Sequence, residues 1–111
     1  MPDYPNDSDG DALRRVAADG NDMSAPMPID FPVVVPDEAQ AKAFAAVAAA
    51  HAYRVELCPP EEGLEWDVVC SRDLVPDYAE IVRIQHELTA MALPFGGYGD
   101  GWGTFGNSDG E

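Results

Sequence analysis

Gly101-Trp102-Gly103-Thr104-Phe105-Gly106 has the G-x-G-x-x-G spacing with which a glycine turn brings a dinucleotide pyrophosphate to the N-terminus of a helix. That chemistry needs a strand before the glycines and a helix after them, whose free N–H groups hold the phosphates. Here Gly106 is followed by five polar residues, Asn107 to Glu111, so the match is expected to be fortuitous. Calcium fails a similar test. With Gly10 in the sixth place of a loop containing Asp7, Asp9 and Asp11, the first ligand position falls on Pro5 and the twelfth on Val16, where a carboxylate is required. The same exercise on Asn107, Asp109 and Gly110 puts Phe105 in first place. A zinc site would have to draw on Cys58, Cys70, His51 and His86, no two of which have the short spacing of such sites. There is no G-x-S-x-G and no recognisable Cys-His pair. Glu61, Glu62, Glu65 and Asp67 supply carboxylates, but acid/base work needs a cleft and shifted pKa values, and a solvated loop accounts for them. The expectation is no enzyme, no metal and no cofactor.

Charge narrows the partners instead. Asp and Glu number 21 against 6 Lys and Arg, a net of −15, and Arg14-Arg15 is the one adjacent basic pair. Nucleic acid is bound by clustered cations that displace counterions, so direct binding to RNA or DNA is not expected. A domain this acidic draws in basic protein segments and repels polyanions. The same charge also serves solubility. No apolar run approaches a membrane span and Met1 to Asn6 lacks the character of a signal peptide, so a cytoplasmic protein is expected. Two cysteines are too few for a disulfide framework and fit a reducing compartment.

The elements that position these residues follow from periodicity. Residues 1–8 and 107–111 are polar and expected to be flexible, leaving a single domain over 9–106. Ser8 with Asp11 resembles a capping box, and Ala12, Leu13, Val16 and Ala17 mark one face of a helix from about 9 to 19 that Gly20 can end. Ile29, Phe31, Val33 and Val35 alternate as a strand does. Pro32 lies inside that strand and cannot donate to a ladder, so a bulge there, or pairing that starts only after it, is expected. Asp37 caps a second helix with Phe44, Val47, Ala48 and His51 on one face. Tyr53 to Cys58 and Leu64 to Cys70 alternate on either side of a Pro-Gly turn, an antiparallel hairpin with the acidic cluster at its tip. Pro76 opens a third helix, striped by Ile81, Ile84, Leu88, Met91, Ala92 and Phe95 and stopped by Pro94, Gly96 and Gly97.

The glycine-aromatic ending then becomes a fourth strand. If regular, it sets Tyr98, Asp100, Trp102 and Thr104 on one face and Gly99, Gly101 and Gly103 on the other. Trp102 and Phe105 can complete the core. Alternatively, Trp102 exposed beside Asp100 would anchor a protein interface. The order is an α+β, ferredoxin-like split βαβ sandwich (βαββαβ) with a four-stranded antiparallel sheet and an extra N-terminal helix.

Asp100-Gly101-Trp102-Gly103-Thr104, the helix before it and the strand Asp67-Val68-Val69-Cys70 resemble the RraB family of ribonuclease E inhibitors. The similarity extends through Asp11-Ala12-Leu13, Asp19-Gly20 and Tyr53-Arg54-Val55. The resemblance implies a ferredoxin-like sandwich that binds ribonuclease E through its basic, arginine-rich scaffold region without touching RNA. Family members often carry Gly before the residue matching Tyr53; Ala52 stands there, which is expected to remove a helix cap. The resemblance brings no binding residues with it. The protein-binding candidates are therefore physical choices: Tyr98, Asp100 and Trp102, with Glu61, Glu62 and Glu65, and a monomer is expected. A partner-masking protein of the immunity type, and a ferredoxin-like domain holding a small ligand on its open sheet face, are the alternatives.

Overall fold

Three aspartates start the three helices. Asp7, Asp37 and Asp77 are extended residues whose carboxylates accept the N–H of Gly10, Gln40 and Glu80 at 2.8, 2.9 and 3.0 Å. Each satisfies a donor that a helix start leaves unpaired. In the computed structural model, which describes residues 7–104, the helices are α1 (Ser8–Ala18), α2 (Glu38–Ala50) and α3 (Tyr78–Ala92). The cap of α1 is thus Asp7, not Ser8. Pro76 does not open α3, because the Asp77 cap moves the first helical residue to Tyr78. Residues 1–6 and 105–111, including Phe105 and most of the expected flexible termini, lie outside the described part.

The strands are β1 (Met27–Val35), β2 (Arg54–Cys58), β3 (Trp66–Leu74), β4 (Tyr98–Gly99) and β5 (Gly103–Thr104). They form one antiparallel sheet in the order β2-β3-β1-β4, with β5 also on β1. The fold is α+β with three helices and five strands among the described residues. Odd residues of β1 point into the core, where Met27, Ile29, Phe31, Val33 and Val35 are buried. Val68 and Cys70 of β3 join them beneath Ala41, Phe44 and Ala48 of α2 and Ile81, Ile84, Leu88 and Ala92 of α3. Phe95, in the 3-10 turn Leu93–Phe95, meets Phe44 edge-on at 6.0 Å between ring centres. His51 does not share the buried face of α2 but caps its C-terminus in solvent.

Pro32 does not disturb the pairing of β1 with β3, which runs without a break from Met27–Leu74 to Val35–Trp66. The expected bulge is therefore absent on that side, and the reason is parity. In an antiparallel strand the N–H and C=O of one residue point to the same neighbour, and the next residue points to the other. The Pro32 carbonyl accepts from Asp100 N–H at 2.9 Å, and the Pro28 carbonyl accepts from the Thr104 hydroxyl. Both prolines therefore direct their missing N–H toward the last strand, and β3 loses nothing.

That side is where the irregularity falls. Val34 pairs with Tyr98 and Val33 with Gly99, whereas Asp30 pairs with Gly103 and Ile29 with Thr104. Asp100, Gly101 and Trp102 thus stand opposite Phe31 and Pro32, one residue too many, as in a β-bulge. The extra residue reverses the alternation. Tyr98 faces away from the helices and Thr104 shares the Ile29 side, so the expected common face of Tyr98, Asp100, Trp102 and Thr104 does not form.

Glycine is required by contact at the start of this strand. A Cβ on Gly97 would lie 2.7 Å from both the Val34 carbonyl oxygen and a Val35 methyl, because α3 delivers the chain directly against β1. Ala52 shows the converse. The end of α2 keeps its cap, with Tyr53 N–H bonded to Ala48 O and Ala52 N–H to Ala49 O, and Ala52 takes the left-handed position at φ 69°. The Arg72 guanidinium fixes this turn, bonding the His51 carbonyl at 2.6 Å and lying 3.8 Å over the Tyr53 ring. A left-handed alanine costs about 1–2 kcal/mol, part of which glycine returns through its looser unfolded chain. Ala52→Gly should therefore raise unfolding stability by about 0.5–1 kcal/mol. Urea denaturation checks this, and an unchanged or lower midpoint would contradict it.

Candidate functional site

Even residues of β1 and odd residues of β3 face away from the helices. With their partners on β2 and β4 they form a second, uncovered face of the sheet. Its rows follow from the register: Cys58, Asp67, Val34 and Tyr98; then Glu56, Val69 and Pro32; then Arg54, Ser71, Asp30 and Gly103; and finally Asp73 beside Pro28. Val34 is only 8% exposed between Asp67 and Tyr98, while the Tyr98 side chain stands 49% exposed at the rim. The middle of the face is apolar, and carboxylates surround it.

The polar groups on this face are ordered. Ser71 donates to Asp30 at 2.6 Å across the β1–β3 ladder. Arg54 pairs with Asp73 at 2.9 Å, with both side chains more than half exposed, so the pair contributes little to stability. The Cys58 thiol is pushed above its ordinary pKa by burial first and then by the neighbouring Glu56 and Asp67 charges. Cys70, on the other side of the sheet, is pushed by burial to about 12. Burial and neighbouring carboxylates thus make both thiols poorer nucleophiles than a free cysteine.

Trp102 lies on the opposite side. Its indole N–H donates to Asp9 Oδ1 at 2.9 Å, and Gln85 of α3 donates to the same oxygen at 3.2 Å. Tyr78 donates to Asp7, whose carboxyl is held below its ordinary pKa by that bond and by Gly10 N–H. Trp102 thus fastens the bulge to α1, half-buried against the core. A cavity of about 350 Å³ lies beside it, lined by Ala12, Arg15, Val16 and Asp19 with Trp102 and Thr104. It is on the helical side, not on the open sheet face where a ligand domain of this architecture was expected to hold its ligand.

The six sequence candidates therefore separate. Tyr98 is on the uncovered face. Asp100 is exposed at the bulge, held through its backbone to Pro32. Glu61, Glu62 and Glu65 are exposed in the β2–β3 turn, beyond the end of the sheet at which Asp67 and Tyr98 stand. Trp102 is turned away from all of these. Asp30, Glu56 and Asp73 were missed. Asp30 and Glu56 each sit between apolar neighbours in an alternating strand, and that alternation is the signal by which they could have been placed on one face; Asp73, next to Arg72, carries no such signal.

This is a small α+β domain with two unlike faces, one packed under helices and one an acidic sheet surface. Residues 6–104 match the family described as regulator of ribonuclease activity B, and the chain belongs to this RraB family. The search of curated proteins gives no match. No helix among the described residues is long and apolar enough to cross a membrane.

Two measurements check the geometry. Trp102→Phe keeps the ring and removes the N–H, leaving Asp9 with Gln85, and should cost about 1 kcal/mol while amide exchange quickens through α1. Unchanged exchange in α1 would refute the fastening role. Because a raised thiol pKa means less thiolate, Cys58 should react with iodoacetamide at pH 8 more slowly than free cysteine, and Glu56→Gln should quicken it. A wild-type rate equal to that of free cysteine contradicts the stated environment.

Proposed function

We propose that this protein is a non-enzymatic regulator that binds ribonuclease E itself and lowers or redirects RNA decay without touching RNA. The observation that carries the reading is the family match over residues 6–104, a family described by its regulation of ribonuclease activity. Its partner site is the arginine-rich scaffold region of the enzyme, outside the catalytic domain. The net charge of −15 supports this choice, since it repels a polyanion and steers a basic segment inward. The strand order, with α2 and α3 over one side of the sheet, is read as the ferredoxin-like split βαβ sandwich with its last strand divided. The protein acts as a cytoplasmic monomer of one domain.

The test uses purified protein and a scaffold fragment of the cognate ribonuclease E. Binding should be saturable at low salt and weaken steadily as ionic strength rises. RNA cleavage should fall for enzyme that carries the scaffold and not for the isolated catalytic domain. Absence of binding at low salt by folded protein would sink the proposal. Tight binding to a structured RNA by the regulator alone would do so as well.

A further inference from the structure

The six basic residues are not spread evenly over the molecule. Arg14 and Arg15 are on α1, Lys42 is on α2 and Arg83 is on α3. Arg72 belongs to the core-facing column of β3 and is held over Tyr53. Among the described residues this leaves Arg54 as the one cation on the uncovered sheet face, and Asp73 already neutralises it. Asp30, Glu56 and Asp67 face the same side, and among the described residues no ion pair joins any of them to a basic residue. They bracket Val69 and Pro32, which are half-buried in the sheet yet reach its surface.

We infer that this face is the docking surface for an extended, arginine-rich segment of the protein partner, an inference that rests on the protein-binding reading above. Charge complementarity selects a basic occupant. A second copy of a chain carrying −15 would meet the same carboxylates and be repelled. The pattern also selects arginine over lysine. A guanidinium fork pairs two carboxylate oxygens at once, and its flat face stacks on an aromatic ring, which the half-exposed Tyr98 offers beside Val34, with Asp67 on the other side of Val34. An extended segment spaces alternate side chains by about 7 Å, matching the separation of alternate residues along β1 and β3. Apolar residues between its arginines would cover Val69 and Pro32. The hairpin carboxylates Glu61, Glu62 and Glu65 stand beyond the sheet's end, where they extend the attraction without shaping the site.

A labelled-protein NMR titration with a synthetic peptide of alternating arginine and valine tests the surface, and a ribonuclease E scaffold fragment tests it in context. Shifts should concentrate at Val34, Asp67, Val69 and Tyr98, and Glu56→Lys with Asp67→Lys should weaken both ligands at least about tenfold. The control, Asp19→Lys with Glu38→Lys, makes the same change in net charge on the helical side and should weaken them far less. Tyr98→Ser serves should the first pair not fold, with a loss of about threefold or more expected. Equal weakening by the control, or shifts centred on α1 and Trp102, overturns the surface. If the scaffold fragment binds wild type and the face variant alike, the surface is wrong and the ribonuclease E reading stands. If the peptide binds this face and the scaffold fragment does not bind at all, the surface stands and that reading falls.

Discussion

The parity of two prolines in one strand governs the shape of this molecule. Pro28 and Pro32 are four residues apart, so both turn their missing N–H to the same neighbour. β1 can therefore sit in the middle of the sheet, giving β3 a complete ladder of nine residue pairs, and still present a defective edge on its other side. The chain that closes that edge cannot be a regular strand. It pairs for two residues, skips, and pairs for two more, and the skipped segment is Asp100-Gly101-Trp102. Shifting either proline by one residue would put the gap against β3 and break the central pairing instead.

From the bulge follows the division of labour between the faces. One extra residue reverses the alternation, so Tyr98 goes to the open face while Trp102 reaches α1. The tryptophan N–H meets Asp9 together with Gln85, which ties three elements distant in sequence: the first helix, the third helix and the last strand. α1 has few other anchors of this kind beyond Leu13 in the core and the Tyr78–Asp7 bond. The residue that looked most like an interface anchor thus holds the domain together. The proposed recognition face uses plainer residues on the other side, where burial is incomplete and Arg54, paired with Asp73, is the one cation among the described residues.

Much of the fold was legible because helix caps and alternation are local. Asp37 and Gly20 act at helix ends within a few residues, and the alternation of Ile29, Phe31, Val33 and Val35 states which side of β1 is buried. What escaped was set by pairing. Whether Pro32 harms a strand depends on which neighbour its nitrogen faces, and a single sequence does not show that. The extension of β3 through Ser71, Arg72, Asp73 and Leu74 escaped for the same reason, since these residues are strand because Met27 to Asp30 lie beside them. Ala52 was expected to remove the helix cap, yet the cap remains and the alanine bears the strain. Backbone bonds and the Arg72 clamp outweigh a left-handed Cβ.

The site was less legible than the fold. Acidic residues close in sequence, such as Glu61, Glu62 and Glu65, draw attention as a cluster, yet they are exposed in the β2–β3 turn, beyond the end of the sheet. Asp30, Glu56 and Asp67 are separated by 37 positions from first to last in the sequence. The β1–β3–β2 register nevertheless brings them around a single apolar centre. Rigid placement on strands lets charges of one sign do more than attract: it fixes the spacing at which an incoming extended chain must carry its cations. Holding such charges on one face is unfavourable for the free domain, since like charges on neighbouring strands repel. The fold tolerates it because each carboxylate remains on a solvated face, and among the described residues none that is buried is polar or charged. In the proposed complex an arginine-bearing partner would relieve that repulsion, so the energy that opposes the charged face in isolation would favour binding.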